Sequence, residues 1–233
     1  MGIGFSVAEE FVKAGNEVII CGRREDKLAE AKAKLPQIET MVCDVSKQED
    51  REALYNWVIC KYPNLNILVN NAGIQRRIDF KKGINGLIGN DNEIDINFAS
   101  TVELSAWFIP EFMKREEAAI INVSSGLGFV PIALMPVYCA TKAAIHSFSI
   151  SLRHQLKDTS VRVFEIIPPT VDTDLDRGAR GKVNRGIPPA EVGIAVMKAF
   201  TDDVFESGVG VAQNLVTAGT TAAFGQIFNA MNH

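Results

Sequence analysis

The chain has 233 residues, 47% of them hydrophobic and 22% charged, with a net charge of −4. This is ordinary globular composition with enough residues for one domain and a substantial core. Mild acidity argues against a nucleic-acid partner, no apolar run reaches the ~18 residues of a membrane span, and no secretory signal opens the chain. Cys21, Cys43, Cys60 and Cys139 form no Cys-x-x-Cys pair, and His146, His154 and His233 lack zinc spacing. No metal is therefore expected, and the thiols read as reduced in a cytoplasmic protein.

Helical and strand patterns alternate along the chain. Residues 5–14 are amphipathic and stop at Gly15. A short apolar strand over 17–21 follows, then a helix over 25–34, rich in Ala, Lys and Glu, which ends before Pro36. The pattern continues with a strand at 39–43, a helix at 47–61 and a strand at 67–69. A long helix is predicted over 91–115, bent or broken at Pro110. After it come a strand at 119–123, a helix at 136–157 and a strand at 161–167. The pattern then weakens to a polar loop rich in Gly and Arg, a helix at 189–200 and a short strand at 209–211. Near-continuous apolar strands alternating with helices predict an α/β fold: a doubly wound, mostly parallel sheet with helices on both faces. Its ligand is expected across the carboxyl ends of the strands, where Asp44, Asn71, Ser125 and Thr170 fall.

The chemistry concentrates around Tyr138. Ser124-Ser125-Gly126-Leu127-Gly128 precedes Tyr138-Cys139-Ala140-Thr141-Lys142. A Tyr four residues before a Lys puts phenol and ammonium on one helix face. The cation favours the phenolate and eases proton exchange. A hydroxyl thirteen residues upstream, at a strand end, is suited to hold a carbonyl oxygen beside that phenol. Together these are the parts of a proton donor for a carbonyl receiving hydride. They have company in Asn70-Asn71-Ala72-Gly73 after an apolar run, and in Asn97 within Glu93-Ile94-Asp95-Ile96-Asn97-Phe98.

These motifs, in this order, resemble the short-chain dehydrogenase/reductase family from Gly2 to about Gly210. Pro168-Pro169-Thr170-Val171-Asp172-Thr173-Asp174-Leu175 resembles the subgroup associated with D-alanylation of lipoteichoic acid, with Pro169 where most members have Gly. The resemblance implies a Rossmann-type domain spanning 1–233, with residues 174–233 forming the substrate loop and C-terminal segment. By the same resemblance, Tyr138 is the general acid or base, and Lys142 lowers its pKa and binds the nicotinamide ribose. Ser125 holds the substrate oxygen and Asn97 positions a water in a proton relay. Ser124 supports the strand end. Asp44 and Val45 flank adenine, Asn71, Ala72 and Gly73 pack along the adenosine ribose, and Pro168, Val171 and Thr173 border the nicotinamide or pyrophosphate. Members usually pair as homodimers or homotetramers through the helices carrying Asn97 and Tyr138.

The opening departs from the family. Members begin with a central strand and a TGxxxGxG turn, whereas Met1-Gly2-Ile3-Gly4-Phe5 matches only the end of that turn. The first strand is missing from the sequence, and its loss mid-sheet should leave two neighbouring strands with unpaired edges. A late start codon, a truncated N-terminus and a genuine variant all fit, with an incomplete N-terminus favoured. Gly2, Ile3 and Gly4 remain the expected pyrophosphate contacts at a helix N-terminus.

Cofactor choice rests on Cys21-Gly22-Arg23-Arg24, where NAD-preferring folds place an acidic residue. Arg23 and Arg24 suit a 2′-phosphate, so NADP is favoured over NAD. The substrate is expected to be a small carbonyl or alcohol met by Asp174, Asp176, Arg177, Arg180, Lys182 and Arg185. Phe224, Ile227 and Phe228 share a helical face suited to a docking or dimer contact. The alternative is a catalytically impaired dinucleotide-binding or regulatory relative. A sugar-nucleotide epimerase or dehydratase is disfavoured, because such relatives carry a larger C-terminal domain.

Overall fold

The structure, a computed structural model, describes residues 1–87, 92–173, 175 and 186–232. The first half runs α1 (Ile3–Lys13), β1 (Ile19–Gly22), α2 (Glu25–Lys34), β2 (Glu39–Val42), α3 (Gln48–Lys61) and β3 (Ile67–Asn70). A 3-10 turn (Phe80–Gly86) and a π-helical turn (Asp95–Ala99) lead into α4 (Ser100–Phe112) and β4 (Ala118–Val123). A second 3-10 turn (Gly126–Gly128) precedes α5 (Pro136–Gln155), β5 (Val161–Ile167), α6 (Pro189–Thr201), β6 (Glu206–Gly208), α7 (Ala212–Gly219) and α8 (Phe224–Asn232). No described helix is long and apolar enough to cross a membrane.

Two expectations change, and one element is new. The helix predicted over 91–115 is interrupted not at Pro110, which stays inside α4, but at the π-helical turn holding Asn97. The last strand occupies 206–208 rather than 209–211: Gly208 is its final paired residue, opposite Ile167, and Gly210 at φ 54° turns the chain toward α7. The 3-10 turn at Phe80–Gly86 was not anticipated; it contains Gly83 at φ 56°, a conformation glycine adopts without strain.

All ladders are parallel, in two groups: β1 with β2, and β3–β4–β5–β6 in that order. Among the described residues no ladder joins β1 to β3. Between them lies a cavity of about 1080 Å³, bordered by Ile19, Ile20 and Cys21 on one side and Leu68, Val69 and Asn70 on the other. The interruption falls where the family's first strand is expected.

Strand alternation sends side chains to two cores. Ile120 and Val163 join Phe108, Phe112 and Leu152 on the α4 and α5 side. Ala119, Ile121, Phe164 and Ile166 meet Val7, Phe11, Val192 and Val196 from α1 and α6 on the other. Every residue of β4 is buried, as a strand covered on both faces requires. The second layer depends on a close approach of α6 to α1. A side-chain carbon at Gly193 would lie 2.6 Å from the backbone oxygen of Ser6. Gly193→Ala is therefore expected to destabilise the protein by about 1–3 kcal/mol through overpacking, read as a lower urea midpoint at unchanged m-value.

Candidate active site

Pro136 opens α5 at a position where its missing N–H is harmless, and the helix carries Tyr138 and Lys142 inward, 6% and 4% exposed. Lys142 Nζ donates to the Val123 carbonyl at 2.8 Å and lies 5.7 Å from the Tyr138 ring centre. Ser125 follows β4, is buried, and accepts from Leu127 N at 3.2 Å. The turn after Ser125 lies directly on α5, since a side-chain carbon at Gly128 would come 2.9 Å from the Lys142 carbonyl carbon. Chain reversal at the end of β4 thus brings Ser125, Tyr138 and Lys142 to the wall of the same cavity.

Asn97 stands one layer back. Its Oδ1 accepts from Ile74 N at 2.8 Å, and its Nδ2 donates to Ile74 O at 2.9 Å and Thr141 Oγ1 at 3.0 Å. The carboxamide therefore ties the segment after Gly73 to α5, and it does not line the cavity. A side-chain carbon at Gly73 would sit 3.5 Å from Asn97 Oδ1 and 3.6 Å from Lys142 Nζ. That close approach packs the Asn71-Ala72-Gly73 segment against both residues.

The other expected contacts line the same cavity. Gly2, Ile3 and Gly4 lie at the start of α1; a side-chain carbon at Gly4 would come 2.7 Å from Asn71 Nδ2, and one at Gly2 3.9 Å from Thr173 Cγ2. Arg23 and Arg24 follow β1, and Asp44 and Val45 follow β2. Asn71, Ala72 and Gly73 follow β3, and Pro168, Val171 and Thr173 follow β5. Burial works to raise the Asp44 carboxyl, but hydrogen bonds from Ser46 N and Oγ at 3.0 and 2.8 Å, with Arg23 nearby, hold it below its usual range. Asp174, Asp176, Arg177, Arg180, Lys182 and Arg185 fall outside the described residues. Leu175 and Met231 border the cavity, and α8 is tethered beside it by Asn232 Nδ2, which donates to Pro131 O at 3.1 Å. Phe224 and Phe228 of α8 stack at 5.6 Å.

Two polar clusters had no role assigned from the sequence. Asn70 Nδ2 donates to Asn122 Oδ1 at 2.9 Å and Ser105 Oγ at 3.2 Å, and Asn122 Nδ2 donates to Ser149 Oγ at 2.9 Å. This chain cross-links β3 and β4 to α4 and α5. The only sequence signal was an Asn ending each of two apolar runs, Leu68-Val69-Asn70 and Ile120-Ile121-Asn122. Glu165 is fully buried in β5 and meets Ser124 and His146. An acid inside Val161-Arg162-Val163-Phe164-Glu165-Ile166-Ile167 was its signal.

A parallel α/β sheet with a cavity at its strand ends, joined by a Tyr/Lys helix, is the arrangement of a nucleotide-dependent oxidoreductase. Residues 1–184 match the family model described as short chain dehydrogenase, and the chain belongs to that family. It is 51% identical to the uncharacterized oxidoreductase DltE of Bacillus subtilis (strain 168), over 99% of this chain and 92% of that relative. Among solved structures it is similar to the closed form of a serine dehydrogenase complexed with NADP+, at 28% identity and TM-score 0.79 over 89% of this chain and 90% of that one. A family member from Burkholderia phymatum in complex with NAD shares the fold at 18% identity and TM-score 0.82, covering 100% and 92%. The chain is a short-chain dehydrogenase/reductase family oxidoreductase.

Burial draws the Lys142 ammonium down from 10.5 to about 8, with Glu165 opposing. The unfolded chain then binds more protons than the folded one between these values. The destabilisation from burying the ammonium is complete below about pH 8 and is relieved as pH rises toward 10.5. Wild-type stability should thus gain up to about 3 kcal/mol relative to Lys142→Met across this window, measured as the difference between their denaturant midpoints against pH.

Proposed function

We propose that the chain transfers a hydride between a nicotinamide cofactor, NADP in preference to NAD, and a small carbonyl or alcohol. The observation that carries the reading is the single cavity shared by Ser125, Tyr138 and Lys142 with Gly2, Gly4, Asp44, Asn71 and Thr173. The residues fit a dinucleotide. Gly2 and Gly4 leave an uncluttered helix N-terminus for a pyrophosphate, Asp44 and Val45 border the adenine end, and Arg23 and Arg24 offer guanidinium forks for a 2′-phosphate. The similar serine dehydrogenase, described with NADP+, is consistent with this. A bound nicotinamide supplies or accepts the hydride.

The chain's own groups handle the oxygen and its proton. Ser125 Oγ–H holds the substrate oxygen, and Tyr138 donates the proton to it during reduction or removes it during oxidation. Lys142 stabilises the phenolate left behind and binds the nicotinamide ribose. Asn97 holds the wall segment that Gly73 presents to Lys142 and orients the relay that returns the proton. Residues 174–233 form the substrate loop and C-terminal segment of one domain over 1–233. The working unit is a cytoplasmic homodimer or homotetramer paired through the segment carrying Asn97, which leads into α4, and through α5; an apolar groove of about 390 Å³ between the two includes Ile94, Phe98, Val137 and Ala140.

The second reading is a dinucleotide-binding relative without turnover. Equilibrium binding of NADPH and NADH followed by a carbonyl panel separates the two. Binding with turnover supports the oxidoreductase, binding without turnover the second reading, and no binding removes both. Tyr138→Phe should lower kcat about 10²- to 10⁴-fold with the dinucleotide Kd unchanged. Arg23→Ala should weaken NADPH about 10- to 100-fold, the worth of one charge-assisted contact, while leaving NADH within a factor of about two. Equal losses for both dinucleotides would sink the assigned preference.

A further inference from the structure

Glu165 is an acid with no exposure at all, placed mid-sheet between Asn122 of β4 and Glu206 of β6. It shares the sheet face of Val163, toward α5. A carboxylate withdrawn from water carries a desolvation penalty of several kcal/mol unless other groups compensate it, and this one is specifically met. Ser124 Oγ donates to its Oε1 at 2.5 Å, and His146 Nδ1 lies 2.8 Å from its Oε2. Both partners adjoin the candidate site. Ser124 immediately precedes Ser125, and His146 is one helical turn beyond Lys142, itself one turn beyond Tyr138. The His146 ring is held in turn by Phe129, with ring centres 4.3 Å apart.

We propose that Glu165 is a positioning residue for the oxidoreductase site: its carboxylate ties the strand end carrying Ser125 to the helix carrying Tyr138 and Lys142, and its charge favours the protonated form of the nearby buried Lys142. The inference rests on the assignment of Tyr138 and Lys142 under the proposed function. Its electrostatic side rests on placement: Lys142 stands one turn before His146 on α5, and the His146 ring meets Glu165 at 2.8 Å, so the ammonium and the carboxylate share one side of that helix; in keeping with this, burial depresses Lys142 and the Glu165 charge opposes that depression. The charged and titratable groups facing Glu165 are His146, Lys142 and Arg153 of α5, with Glu206 of β6 near His146. A negative charge favours the ammonium, so removing it shortens the pH range over which Lys142 is charged. The tie to Ser124 acts separately, on the geometry of the strand end rather than on charge.

The test pairs Glu165→Gln, which keeps the shape and removes the charge, with Ser124→Ala, which keeps the charge and cuts the tie. The Lys142 titration is followed by NMR in 13C-lysine-labelled protein, its signal identified by its loss in Lys142→Met. With Glu165→Gln the midpoint should fall by about one pH unit or more. The basic limb of kcat/KM for carbonyl reduction should move to lower pH with it, at unchanged Kd for NADPH. With Ser124→Ala the midpoint should stay within about 0.3 units while kcat/KM drops about tenfold, the equivalent of 1.4 kcal/mol. An unmoved Lys142 midpoint in folded Glu165→Gln overturns the counter-charge, and wild-type kcat/KM in Ser124→Ala overturns the tie. Failure of the proposed function looks different: wild-type protein without turnover, yet with a Lys142 midpoint that still answers to Glu165.

Discussion

The site is organised around an ammonium held away from water. Lys142 enters the interior on α5, and burial of its charge sets requirements on everything near it. The Val123 carbonyl at the end of β4 accepts from it, Gly73 lies close beside it, and the Glu165 charge in β5 opposes part of the burial penalty. Residues just after β3, at the end of β4 and within β5 lie around this one cation on α5.

That convergence needs a rigid base, and the parallel β3–β4–β5 ladder supplies it. Side chains alternate into two apolar layers, so the strands cannot slip by one residue without exchanging core for solvent. The strand ends are pinned further by Asn70, Asn122, Ser105 and Ser149, whose buried hydrogen bonds run across the layers from α4 to α5. Polar groups this deep are tolerated because they satisfy one another. They also fix where the loops carrying the candidate site leave the sheet.

The dinucleotide half is built differently. Among the described residues β1 and β2 pair only with each other, and the cavity between β1 and β3 is continuous with the one at the strand ends. The glycines at the start of α1 lie beside Asn71 and Thr173, and α1 packs closely on α6 at Gly193.

Much of this was legible in the sequence. The 3.6 and 2.0 periodicities marked nearly every element, and the Tyr138–Lys142 spacing is a local fact about one helix. Boundaries were missed where local signals compete: Pro110 was read as the break, but the helix is interrupted at Asn97, whose side chain bonds Ile74 across the fold. The final strand was placed three residues late because Val209 and Val211 are better strand formers than Ser207 and Gly208, yet register with β5 decides pairing. The sequence by itself determined most of the order of elements, because periodicity and short spacings are local, and it carried the motifs by which the chain resembles its family. Only the tertiary structure decided that Asn97 faces Ile74 and Thr141 rather than the cavity, and that Glu165 stands behind Ser124 and His146. Those depend on side chains meeting from strands and helices far apart in the chain, which no local pattern encodes.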